Sequence, residues 1–145
     1  MELSFDSTNI KKDMNRMLFD LCYITDKNDK MLVLDYMHFK HFATKENYPE
    51  ILCHITNNIN NILSRHQQFS VFVNMKGLTI SEIEKHRSFI QTISICLKDR
   101  YPNMLEKCYI FNAPFVFSQI FNLVSMFIDK TTQSKIEVIA KKDIK

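Results

Sequence analysis

Glycine is almost missing from this chain: Gly77 is the single one among 145 residues. Phosphate cradles of the G-x-G-x-x-G and G-x-x-x-x-G-K-[ST] types therefore cannot be written, because each needs several backbone positions without a side chain. The G-x-S-x-G nucleophile elbow is excluded on the same ground. Proline is scarce at three residues and tryptophan is absent. Collagen-like and Gly/Ser-linker readings fall with them. Charge of one sign is also missing: 19 Lys and Arg against 16 Asp and Glu leave +3. That balance gives no electrostatic footprint for nucleic acid. No apolar run reaches the roughly 20 residues of a membrane span. The longest, 113–128, is broken by Ser118, Gln119, Asn122 and Ser125. The N-terminus, Met1-Glu2-Leu3-Ser4-Phe5-Asp6, has an early acid and no apolar stretch of the secretory kind. Cys22, Cys53, Cys96 and Cys108 are widely spaced with no C-x-x-C, which reads as reduced, mostly buried thiols. A cytoplasmic protein is expected.

What is present suits a compact α/β chain. With 46% hydrophobic residues, and at about 150 residues per domain, one domain over 1–145 is expected. Asp6 and Ser7 are N-cap candidates for a helix to Leu18, with Ile10, Met14, Met17 and Leu18 at helical spacing. Phe19 to Thr25 and Met31 to Tyr36 read as a hairpin around the polar insert 26–30, where Asn and Asp tolerate left-handed backbone. From Glu50 to His66 a stripe of Ile51, Leu52, Ile55, Ile59, Ile62 and Leu63 predicts a helix. Phe69 to Met75 predicts a buried strand. Ser81 and Glu84 fit a capping box for a helix running to Tyr101-Pro102. A strand over Cys108 to Ala113, a helix over Phe115 to Ile128 and a strand over Lys135 to Ala140 follow. Such alternation of strands and helices makes right-handed crossovers and a largely parallel sheet.

Few side chains suggest chemistry. His38 and His41 can share a helix face, and Cys53-His54 adds sulfur and nitrogen, but neither pair has the third and fourth ligands a zinc site needs. A Cys/His nucleophile pair has no recognisable sequence context here. The segment 40–50 and the tail 141–145 read as solvated, lysine-bearing stretches, weakly attracted to anionic membrane at most. The aromatics say more. Phe111, Phe115, Phe117, Phe121 and Phe127 crowd one strand–helix unit, and 115–128 holds no charged residue. A helix apolar nearly all round is buried on every side or borders something greasy.

These residues carry a resemblance. Met75-Lys76-Gly77-Leu78, Tyr101-Pro102, Tyr109-Ile110-Phe111-Asn112-Ala113-Pro114-Phe115-Val116-Phe117-Ser118 and Phe127-Ile128-Asp129-Lys130-Thr131-Thr132-Gln133-Ser134-Lys135-Ile136 occur in the order of a known set. The stretch 69–139 resembles the CRAL-TRIO lipid-binding domain, especially its phosphatidylinositol/phosphatidylcholine-transfer branch. The resemblance implies a mixed, mostly parallel sheet flanked by helices around an apolar pocket for one lipid. It also implies a mobile gate helix that touches membrane, here 115–129.

As pocket residues it suggests Val71, Val73, Phe117, Phe121 and Val124. As head-group ligands it suggests Thr132 and Lys135, a hydroxyl and an ammonium suited to the phosphate of a phosphoinositide. Other family positions differ: the acid after Tyr-Pro is Asn103, the Asp before Leu-Lys-Gly is Asn74, and the hydroxyls that hold phosphatidylcholine fall at Phe69 and Val71. Family members continue with a helix and strand that these residues do not include, so a shallower pocket, or one closed by a partner or second copy, is expected. The expectation is a small lipid-binding protein, not an enzyme, with no metal and no cofactor beyond its lipid, acting transiently at membranes. Its alternative is a non-lipid interaction module of the same fold that binds a small GTPase or a regulator.

Overall fold

The computed structural model describes residues 7–139. In chain order the elements are α1 (Ser7–Leu21), β1 (Cys22–Ile24), β2 (Met31–Asp35), α2 (Tyr36–Phe42), α3 (Tyr48–Leu63) and β3 (Phe69–Asn74). They continue with α4 (Ile80–Lys85), α5 (Arg87–Arg100), β4 (Leu105–Phe111), α6 (Phe117–Ser125), α7 (Lys130–Gln133) and β5 (Ile136–Val138). The five strands lie side by side in chain order. β1 pairs antiparallel with β2, and every later pairing is parallel. The α/β class and the mostly parallel sheet are as the sequence predicts.

Parallel strands that advance one way across a sheet force each right-handed crossover onto the same face. That face is lined by alternate strand residues. Leu32 stands beside Val71, Val71 beside Cys108, and Cys108 beside Ile136, a single apolar row across four strands. A register shift between Phe69 and Val71 marks a bulge in the β3–β4 ladder. It lets Leu105 and Cys108, three residues apart, lie on the same floor. The other face carries the row Val33, Phe72, Tyr109 and Glu137.

The helices form for local reasons. α3 has Pro49 in its first turn, where the missing N–H costs nothing, and it buries Ile51, Ile55, Ile59 and Ile62. Tyr101, buried at the end of α5, places its ring 6.0 Å from Phe69 and donates its hydroxyl to Asn60 Oδ1 at 2.7 Å. The Tyr-Pro motif thereby ties α5 to α3 and to the sheet.

Several expectations need correction. α1 runs on to Leu21, so the first strand starts at Cys22 instead of Phe19, while Asp6 lies outside the described residues. Asp35 ends β2 and accepts from the Met37 N–H at 2.9 Å, starting a short α2 in part of the stretch read as loop. The hairpin turn uses no left-handed residue. Thr25 Oγ1 and the Asn28 backbone exchange two 3.0 Å bonds, and Asn28 Oδ1 accepts from the Lys30 N–H.

The helix cap before α4 is Thr79, which accepts from the Glu82 N–H, so the operative spacing is Thr79 to Glu82 and not Ser81 to Glu84. The following helix breaks at His86 into α4 and α5. The helix read over 115–128 shortens to Phe117–Ser125, α7 follows it, and the last strand closes at Val138, with 140–145 outside the described residues. All four cysteines are free: Cys22 is buried, Cys96 and Cys108 are partly buried, and Cys53 is exposed.

Left-handed backbone occurs where turns leave β3 and β4. Gly77 has φ +86° and Asn112 φ +56°, and Asn112 Nδ2 donates to Asn74 Oδ1 at 3.1 Å, joining the two strand ends. A Cβ on Gly77 would stand 2.8 Å from Met37 Sδ. Gly77→Ala is therefore expected to destabilise the fold by about 1–2 kcal/mol from backbone strain, with a further cost for displacing Met37. Gly77→Asn should lose less of that backbone share. Urea unfolding checks both, and an unchanged midpoint for Gly77→Ala would mean that the turn relaxes to negative φ.

Candidate functional site: an apolar cavity with two polar ends

Between the sheet floor and the helices lies a cavity of about 480 Å³. That size falls within the roughly 300–1,000 Å³ of sites that enclose small molecules. Its floor is the row from Leu32 to Ile136, with Leu34 and Val73 beside it. α3 contributes Ile55 and Ile59, α5 contributes Ile90, Ile93 and Leu97, and α6 contributes Ile120 and Val124. The packed core is split around this space. One cluster gathers on α1, α3 and the first strands, a second on Met75, Ile83, Ile110 and Ile120, and the two meet at Val73 and Cys108.

Polar groups stand at both ends of the strands. At the N-terminal ends are Lys98, Asn103, Asp129, Thr132 and Lys135. Asp129 caps α7, accepting from the Thr132 N–H at 2.7 Å. That backbone bond first, then the Thr132 hydroxyl, with Lys135 and Lys98 adding, hold its carboxyl below the usual range. This end thus presents two ammonium groups and a hydroxyl around one carboxylate. At the C-terminal ends are Tyr36, Glu82 and His86. His86 is 2% exposed. Its Nδ1 lies 2.6 Å from the Tyr48 hydroxyl, and its ring is edge-on to Phe39 at 4.8 Å. Burial lowers the His86 pKa, and the Glu82 carboxylate opposes that shift without cancelling it.

Of the residues the resemblance suggested, Val71, Val73 and Val124 line the cavity, and so do Thr132 and Lys135. Phe117 and Phe121 lie outside its wall, their ring centroids 6.1 Å apart on α6. Ile120 is the buried residue that α6 presents there. The histidine pairs do not converge on a metal geometry. His38 and His41 lie beside Asp13, Arg16 and Asp20 of α1, and His54 donates to the Cys22 carbonyl at 2.8 Å. Among the described residues no three His, Cys, Asp or Glu gather as metal ligands. Burial pushes the Cys22 and Cys108 thiols up to about 12, so neither supplies a thiolate at neutral pH.

The sequence reading missed the Tyr36, Glu82 and His86 end. One signal was there: Glu82 and His86 stand four apart, one turn of a helix, and a carboxylate facing an imidazole at that spacing is an interacting pair.

A family model described as "CRAL/TRIO domain" matches residues 20–145. The Sec14 cytosolic factor of Schizosaccharomyces pombe is 37% identical over 67 residues, which is 46% of this chain and 23% of that protein. The SEC14 cytosolic factor of Yarrowia lipolytica is 35% identical over 66 residues, 46% of this chain and 13% of that protein. The matched stretch is thus under a quarter of either relative. Among solved structures, that of Sfh5 superposes with a TM-score of 0.71 at 19% identity, over 86% of this chain and 49% of the other. That likeness establishes the sheet and its flanking helices as the same fold.

A buried histidine held neutral makes stability depend on pH. Its folded pKa lies below the ordinary value of 6.5, so the unfolded chain takes up the proton first. His86 therefore favours folding fully above pH 6.5, and that contribution is lost as pH falls from there through the folded pKa. Urea unfolding between pH 7.5 and 5.5 should show a steeper loss of stability for the native chain than for His86→Gln. Parallel curves would remove His86 as the source.

Proposed function

Because the chain belongs to the CRAL/TRIO domain family, we propose that it is a lipid-binding protein, acting as one domain over 1–145. It holds one phospholipid or other hydrophobic ligand in the cavity and presents or transfers it at membranes. The observation that carries this reading is the 480 Å³ space walled by apolar side chains from four strands and five helices. A core built only to fold would close such a space, because unfilled volume costs about 24 cal/mol per Å³. The non-lipid interaction module expects a filled interior, and the cavity weighs against it.

The mechanism is partition. Acyl chains leave a bilayer for walls of similar polarity, so no bond is made or broken. The head group meets Thr132, Lys135 and Lys98, where an anionic phosphate gains charge-assisted hydrogen bonds. α6 forms the movable wall. Ile120 and Leu123 of α6 are buried, its polar Ser118, Gln119 and Asn122 are exposed, and the residues flanking it, Phe115 and Met126, are 97% and 74% exposed. Exposed apolar side chains beside an uncharged helix suit contact with the acyl region of a membrane. The reading puts the protein in the cytosol, peripheral to membranes. No helix among the described residues is long and apolar enough to cross one.

Two sets of variants test this. Lys135→Ala should weaken loading from phosphatidylinositol vesicles, whose head group is net anionic, by about tenfold, and loading from phosphatidylcholine vesicles, whose choline cation offsets the shared phosphate, by clearly less. Native mass spectrometry after incubation with each vesicle reads the difference, and equal losses would remove the head-group assignment. Val124→Asp sets a carboxylate in the cavity wall and should cut loading by more than about tenfold with far-UV circular dichroism intact. Phe115→Ser should leave loading alone and slow exchange between vesicles. Full loading of Val124→Asp would sink the cavity reading, and unchanged exchange for Phe115→Ser would remove that residue from the membrane contact.

A further inference from the structure

The size of the cavity limits what can fill it. Phe69 and Met75, six residue steps apart along β3, both line it, so it is about 20 Å long. Its 480 Å³ spread over that length is a mean section of about 24 Å². A methylene group takes roughly the volume of a water molecule, about 30 Å³. A zigzag carbon chain advances about 1.25 Å per bond, as tetrahedral angles and a carbon–carbon bond of about 1.5 Å require. One extended chain therefore has a section of about 24 Å², and 16 carbons of it span about 19 Å. Length and section both match a single chain of about 16 carbons. Two such chains need about twice the volume.

The two ends of the slot are unlike. At the N-terminal strand ends Lys98, Asn103 and Asp129 are exposed, so that end opens to water. At the C-terminal ends the Tyr36 hydroxyl, Glu82 Oε2 and His86 Nε2 are buried. They are turned on one another: His86 Nε2 stands 3.4 Å from Glu82 Oε2. Burial first, and the Glu82 carboxylate next, raise the Tyr36 pKa, so its phenol stays protonated. That end offers a ligand only the apolar surface of Phe39, Met75 and Leu78. A charged head suits the first end and a terminal methyl the second.

We propose that the cavity is a slot for one acyl chain, and that its ligand class is the single-chain anionic phospholipid, a lysophospholipid. Its phosphate lies at Lys98, Thr132 and Lys135, and its methyl end lies beyond Val73. The proposal rests on the cavity being a lipid pocket. A phospholipid with two long chains leaves one of them outside the slot, in water.

The test is displacement of the neutral fluorophore N-phenyl-1-naphthylamine from the full chain. 1-Palmitoyl lysophosphatidic acid and dioctanoyl phosphatidic acid share a phosphate head and 16 acyl carbons, arranged as one long chain or two short ones. The single-chain lipid should displace the fluorophore at a concentration at least about tenfold lower. Across lysophosphatidic acids of 12 to 20 carbons, affinity should rise about threefold per carbon up to about 16 and then level off. Val73→Phe, which narrows the slot about 13 Å from Phe69, should bring the plateau down to about 12 carbons. Equal or better displacement by the dioctanoyl lipid overturns the single-chain slot and leaves the lipid pocket standing. Affinity still rising from 18 to 20 carbons overturns the length match. A plateau that Val73→Phe leaves at 16 carbons, with far-UV circular dichroism intact, refutes the placing of the methyl end. Failure of the fluorophore to bind, or of every phospholipid to displace it, overturns the pocket and this inference with it.

Discussion

The direction in which the strands advance governs the rest of the molecule. β2, β3, β4 and β5 are parallel neighbours in chain order, so α3, α5 and α6 must all cross the same sheet face. Three helices on one twisted face do not close over it like a flat lid. The apolar row from Leu32 to Ile136 is left facing a space, and the core divides on either side of it. Topology therefore fixes which face the cavity lies on. Side-chain choice keeps it apolar, through alternation on β2 and β3 and through the bulge that brings Leu105 and Cys108 to one floor.

Topology also explains why its polar ends differ. The approach to β5 runs through α7, so Asp129, Thr132 and Lys135 arrive together at the N-terminal strand ends, joined there by Lys98 from the last turn of α5. The exits of β2 and β3 lead into α2 and α4, which deliver Tyr36 and Glu82, and the break before α5 delivers His86. The first end is cationic and hydrogen-bonded around Asp129. The second is close to neutral, with Tyr36 and His86 gathered around the Glu82 carboxylate.

Much of this was legible because it is written in periodicity and short motifs. The isoleucine stripe of α3, the apolar run of β3 and the Asn-Ala-Pro turn with its left-handed Asn112 are local signals with local causes. Val71, Val73, Val124, Thr132 and Lys135 reach the cavity because they stand in or beside those motifs. Phe117 and Phe121 show where the reading ran out: both lie on the right helix, but which arc of α6 meets the sheet depends on how it packs, and Ile120 and Val124 took that arc. The Tyr36, Glu82 and His86 cluster was illegible for a related reason. Its members come from two short helices and a break whose meeting point only the crossover geometry fixes.

α6 joins the two halves of the proposal. A nine-residue helix does not persist alone in water, where even favourable sequences need about 12–15 residues. Its position depends on burying Val116, Ile120 and Leu123. Swinging it off the cavity in water would expose all three, at about 5–9 kcal/mol. Against the acyl region of a bilayer the same movement exchanges one apolar surrounding for another, and that cost falls away. With Phe115 and Met126 already outside the fold at its two ends, the proposed function has the helix meet the membrane before it moves. On that proposal the cavity would open where its ligand is, and stay shut in water.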